Sequence, residues 1–182
     1  MQPLSALASR ILAAFRKRNQ RRLRKLNDEI VRETTLQFDK AHFNLSVYSY
    51  VLSKIVSKPR YLRDECKGCL KEIESAMEKI VRRIDSTSEE DVGPLFKELE
   101  TAVSGLEEKD PRFIVDMMTK GRLKMAATFY AQGLSLGVAA EMTGLQKQEI
   151  LDYAGETMMF DRLKEEMSVH DRLKAARKLL GA

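Results

Sequence analysis

"LSLGVAAEMTGLQKQEILDY", residues 134–153, carries a glycine between two short runs of helix formers. Read as one helix, the stretch buries Gly144 in a helix interior, at about 1 kcal/mol relative to alanine. Read as two helices, it puts Gly144 in a sharp turn that needs positive φ, which glycine adopts without steric penalty. The spacing favours two. A tight crossing of two helices takes a small residue one turn before the glycine and a branched apolar residue shortly after it. Ala140, Gly144 and Ile150 stand at that spacing, and Leu136, Ala139, Leu145 and Tyr153 supply further apolar contacts.

Upstream, "GRLKMAATFYAQG" (residues 121–133) predicts a preceding helix with Leu123, Ala126, Ala127 and Tyr130 inward and Gly133 as its stop. Ser135 is placed to cap the next helix, and Thr143 or the turn backbone to cap the one after it. Residues 110–156 therefore read as a trihelical helix-turn-helix unit. If it reads DNA, Gln146, Lys147 and Gln148 at the start of its last helix meet base edges in the major groove. Lys120, Arg122 and Lys124 then meet phosphates. Glu141, Glu149 and Asp152 oppose phosphates on the same unit. A bend that only packs two helices is the alternative, and both readings stand on the sequence.

"RLKMAATFYAQGLSLGVAAEMTGLQKQEILDYAGETMMFDRLKEEMSVHDRLKAARKLL", residues 122–180, resembles the helix-turn-helix segments of archaeal antitoxin-like proteins. The matching positions are Tyr130, Gly133, Ser135, Gly137, Ala139, Ala140, Glu141, Gly144, Glu149, Leu151 and Tyr153. The resemblance covers about a third of the chain and does not reach the N-terminal residues. It implies a transcription regulator that binds DNA and partners a PIN-domain ribonuclease toxin.

The tail, residues 157–182, opens on the apolar cluster Met158, Met159 and Phe160. Ser168 with Asp171 has the form of a capping box. Leu173, Ala176, Leu179 and Leu180 follow at helical spacing. Methionine-rich segments adapt to partner grooves, so Met158, Met159, Phe160, Leu173, Leu179 and Leu180 are candidate partner-binding residues. A tail that folds back on its own bundle is the competing reading.

Residues 1–108 predict a bundle of three to four helices. The first runs through Leu4, Leu7, Ile11, Phe15, Leu23, Leu26 and Ile30, with a gap at Asn19. Along it lie Arg16, Lys17, Arg18, Arg21, Arg22, Arg24 and Lys25, with no acid until Asp28. The block is either an electrostatic arm for a polyanion or a solvated helix face. Residues 34–57 are apolar beyond a surface stripe and predict the most buried helix. Pro59 breaks it by disfavouring helix at Lys58. A third helix is expected from Tyr61 to about Asp85. A short one, capped by Ser86 or Ser88, should run through Leu95, Leu99 and Val103. Asp110 and Pro111 are placed to start the next.

The chain has 182 residues, 43% hydrophobic and 32% charged, with 9 glycines, 4 prolines and no tryptophan. Straight-chain helix formers dominate, so an all-α fold is expected. A net charge of +5 suits polyanionic partners. Two cysteines and no secretory pattern point to the cytoplasm, and no apolar run is long enough for membrane insertion. Cys66-Lys67-Gly68-Cys69 is one CxxC, whereas zinc needs four ligands. His42 and His170 have no ligand spacing, and no phosphate-binding glycine loop is present. Neither an enzyme, a metal nor a cofactor is expected. The expected partners are DNA, a protein of the PIN-nuclease kind, and a second copy in a homodimer. A helical adaptor, or an RNA- or ribosome-associated protein, is the alternative.

Overall fold

The computed structural model describes residues 3–36, 39–108 and 116–159. Among these, every regular element is helical, as the composition implies. Five helices make the bundle: α1 (Leu4–Arg16), α2 (Gln20–Leu36), α3 (Lys40–Val56), α4 (Lys67–Arg83) and α5 (Val92–Glu107). Three follow: α6 (Met117–Ala131), α7 (Leu136–Thr143) and α8 (Lys147–Glu156).

The first expected helix is two. The chain turns at Arg18, whose φ is +50°. The Asn19 amide donates back to Ala14 O at 2.9 Å, closing α1, and the Asn19 side chain accepts from the Arg22 amide at 2.9 Å, opening α2. The gap in apolar periodicity at Asn19 was the trace of this corner. The two helices fold back on each other, and Arg10 pairs with Glu29 at 2.6 Å across them.

Helix α3 is the buried element its composition predicts, with Leu45, Tyr48, Val51, Leu52 and Ile55 among its buried residues. Its buried serines are satisfied within the helix: Ser46, Ser49 and Ser53 donate to the carbonyls of Phe43, Ser46 and Tyr50. Asn27 of α2 reaches in and donates to Ser46 O and Ser49 Oγ. Burying an unpaired amide costs more than a made bond returns, so this pairing matters.

After α3 the chain departs from expectation twice. Residues from Pro59 form two 3₁₀ turns, Pro59–Leu62 and Asp64–Cys66, so α4 begins at Lys67 rather than Tyr61. Pro59 sits in the first of them, where its fixed φ and missing N–H are tolerated. Likewise α5 starts at Val92. Ser88 accepts from the Asp91 amide and donates to its carboxylate, which builds the turn ahead of the helix instead of capping it. The expected start at Asp110 and Pro111 lies outside the described residues. Helix α6 begins at Met117, with Asp116 accepting from the Met118 amide at 2.7 Å.

Helix α6 serves two cores. Met117, Met118, Met125 and Phe129 join the bundle core, while Ala126 and Ala127 face a second, smaller core with Ala139, Ile150, Ala154 and Met159. Against α3 it packs so closely that a Cβ on Gly121 would stand 2.8 Å from Val51 Cγ2. At its start the buried Glu107 accepts from the Met117 amide at 2.8 Å. Burial there, with Asp116 nearby, pushes the Glu107 carboxyl up to about 7, against the pull of the Met117 amide and Lys58.

Candidate nucleic-acid interface

The opening stretch turns where its glycine requires. Gly133 ends α6 at φ +106°, and Ser135 Oγ accepts from the Val138 amide at 3.2 Å to start α7. Gly144 takes φ +69° and donates to Ala140 O at 2.9 Å. Thr143 contributes to the turn, its hydroxyl donating to Ala139 O and accepting from the Leu145 amide. Helix α8 is capped by a box of its own. The Gln146 side chain takes the Glu149 amide, and the Glu149 carboxylate takes the Gln146 amide at 2.8 Å. Ala139, Ile150 and Ala154 are buried where α6, α7 and α8 meet, while Leu123 and Tyr130 are only half-buried.

Gln146, Lys147 and Gln148 are all exposed on the first turn of α8. Two of the three are engaged within the helix: Gln146 in the cap, and Gln148 donating to Asp152 at 2.7 Å. The cations of α6 do not gather beside them. Lys120 is exposed, Arg122 is held at 2.8 Å by Glu100 of α5, and Lys124 lies 3.5 Å from Met159 Sδ, beyond the other end of α8. Leu151 of α8 is 37% exposed. Over residues 134–159 Lys147 is the one cation against Glu141, Glu149, Asp152 and Glu156.

The opposite charge sits at α1 and α2. Residues 1–36 carry nine cations against three acids, a net +6, so the rest of the chain is at −1. The block is not uniform. Arg16 pairs with Glu78 and lies 3.6 Å from Glu74. Arg18 pairs with Glu74 at 2.9 Å and lies 4.7 Å over the Phe15 ring. Both acids belong to α4, so these two arginines tie the corner to the bundle. Lys17, Arg21, Arg22, Arg24 and Lys25 remain exposed. Arg21, Arg24 and Lys25 share one side of α2 with Asp28 and Arg32, because residues three and four apart lie together. Arg24, Arg32 and Lys124 all act on Asp28, which places Lys124 with α2 rather than with the start of α8. Tyr50 of α3 packs against the bundle core. Burial pushes its hydroxyl up to about 12, with Tyr153 adding to the shift and Arg24 opposing it.

The expected partner residues divide as well. Met158 is 65% exposed, at φ +47°, but Met159 is buried in the second core against Thr128 and Lys124. Phe160, Leu173, Leu179 and Leu180 lie outside the described residues, as does His170.

Among the described residues His42, Cys66 and Cys69 are buried. His42 is buried, its Nδ1 2.5 Å from Asp39, and its amide donates to the same carboxylate to cap α3. Burial works against the Asp39 charge, yet these bonds hold its carboxyl below the usual range. Cys66 and Cys69 are buried free thiols, 3.8 Å and 3.9 Å from the carbonyls of Arg60 and Gly105. Among the described residues no group of three His, Cys, Asp or Glu could hold a metal ion, and no helix is long and apolar enough to cross a membrane.

The chain matches no protein-family model, and no curated protein or solved structure is significantly similar to it. The fold class is all-α.

Proposed function

We propose that this is a non-enzymatic helical adaptor that holds nucleic acid by its phosphate backbone along α2. The observation that carries the reading is the segregation of charge: the chain's whole positive excess lies in residues 1–36, with Lys17, Arg21, Arg22, Arg24 and Lys25 exposed. Exposed cations at helical spacing bind phosphates without reading bases, and binding of this kind falls steeply with salt. The test is an anisotropy titration of the full chain against a mixed-sequence DNA duplex and a mixed-sequence single-stranded RNA. Each of about three phosphate contacts should contribute a log–log salt slope of roughly −0.9 on duplex or −0.7 on single strand. No binding to either probe at about 50 mM salt would end the proposal.

A second reading is favoured by a different observation, the turn at Gly144 between capped helices. In it the protein is an antitoxin-like regulator that reads operator DNA with α8 and holds a nuclease partner with its tail. Replacing Gln148 by alanine should then relax preference at one or two base pairs by roughly 1–3 kcal/mol. The acids of α8 and the internal bonds of Gln146 and Gln148 weigh against it.

A further inference from the structure

We propose that Cys66 and Cys69 form a reversible dithiol–disulfide pair at the start of α4, oxidised by a low-molecular-weight disulfide. The inference does not depend on nucleic-acid binding by α2.

Spacing comes first. Cys66 stands at the position before α4, and Cys69 is the third residue of the helix. Cys66, at φ −95° and ψ −3°, already has helical backbone, so the two belong to one turn. Three residues of helix separate Cα atoms by about 5 Å, inside the roughly 4.4–6.8 Å that a disulfide spans. A side chain at the position before a helix leans over the first turn, which is how a serine there reaches the third amide. The Cys66 side chain makes no such cap bond. Rotation about its Cα–Cβ bond therefore brings its sulfur toward Cys69 without moving the backbone.

Little holds the sulfurs where they are. Cys66 Sγ lies 3.8 Å from Arg60 O and Cys69 Sγ 3.9 Å from Gly105 O. A thiol is a weak donor, and both contacts are long.

The pair also lies close under the surface. Cys66 and Cys69 are 6% and 7% exposed, whereas Ile73, one turn further along α4, is fully buried. Lys67 and Gly68 between them are exposed. A Cβ on Gly68 would meet nothing within 4 Å, so the outer side of the turn is open.

The step is thiol–disulfide exchange. One cysteine thiolate attacks a sulfur of the small disulfide and expels one small thiolate, leaving a mixed disulfide. The other cysteine thiolate attacks the protein sulfur of that bond and expels the second. Two protein thiols lose two electrons to the small disulfide, and their two protons go to the expelled thiolates. The product has no S–H, so the bonds to the Arg60 and Gly105 carbonyls are both lost.

The probe is glutathione disulfide in excess over the folded, fully reduced full chain, read by intact mass, peptide mapping and circular dichroism. The parent should lose two hydrogens in mass, gain a Cys66–Cys69 crosslink, keep its helical signal and carry no glutathione. Dithiothreitol should restore the dithiol. Whichever cysteine attacks first, the serine variant of its partner, Cys66→Ser or Cys69→Ser, should stop at one glutathione adduct, because nothing remains to resolve it. An adduct that persists on the parent would overturn the proposal, since the two sulfurs then fail to meet. A crosslink between two copies would overturn it as well. So would a folded parent that stays reduced while the urea-unfolded chain is oxidised, because the thiols are then inert core groups. A Cys66–Cys69 crosslink that forms only with loss of the helical signal would count against it in the same way.

Discussion

Helices α2 and α8 are the two elements on which a polyanion could be held, and they differ in sign and in freedom. Helix α2 exposes Arg21, Arg22, Arg24 and Lys25, while α8 exposes Lys147 among Glu149, Leu151, Asp152 and Glu156. Their polar side chains are also used differently. In α8, Gln146 and Gln148 close bonds within the helix. On α1 and at the corner, only Arg16 and Arg18 are taken up by acids of α4. A helix can therefore follow a glycine turn and yet expose more acids than cations. Position in a motif and suitability for a ligand are separate properties.

The strongest way to break this comparison is to remove α8 and keep α2. Ile150 is fully buried between the three helices. Ile150→Asp places a charge there, and should cost the α6–α8 core at least about 3 kcal/mol, enough to unfold α7 and α8. Exchange should rise in residues 134–159 and stay slow in α3. Backbone-driven binding should survive; its loss would move the interface to α8.

Protonation sharpens the same contrast. Glu107 holds its proton more tightly folded than unfolded, so its contribution is complete below the ordinary value of 4.5 and is lost as pH rises through about 7. Stability should fall over that window by on the order of 2–3 kcal/mol. Glu107→Gln keeps an acceptor for the Met117 amide and should flatten the fall, as read by melts at pH 5 and pH 7.5. Binding by α2 should be level over the same range, because arginine and lysine do not titrate there.

Much of this was legible. Gly144, Gly133 and Ser135 act where the sequence placed them, because glycine's φ and a serine cap are local properties. The gap at Asn19 was visible but its meaning was not, since a corner and a kink leave the same trace in periodicity. Contacts across space were invisible. No pattern near Arg16 and Arg18 announces Glu74 and Glu78, and nothing near Ser5 announces Asp85, whose carboxylate accepts from the Ser5 amide at 3.0 Å. The cap of α6, Asp116, carries no local signal that sets it apart from other acids in the chain. The box at Gln146 and Glu149 leaves only a weak signal, because glutamine is an uncommon N-cap. On the candidate surfaces, the sequence showed which residue types were present but not which of them bond to one another.

A smaller effect tests the turn alone. Gly144→Ala forces a Cβ into φ +69° with open space around it. The cost is conformational, about 1–2 kcal/mol, and should appear in exchange of α7 and α8 without altering binding. An unchanged melt together with unchanged exchange would mean that the turn carries no left-handed residue in solution.

The most direct test sets the two helices side by side in one salt titration on the same duplex. Arg21→Gln, Arg22→Gln and Arg24→Gln together should flatten the log–log slope by about 2–3 and weaken all sequences alike. Lys147→Ala with Gln148→Ala should leave slope and affinity close to the parent. The reverse pattern, an unchanged α2 variant beside an α8 variant that loses affinity, would contradict the account and give the interface to α8.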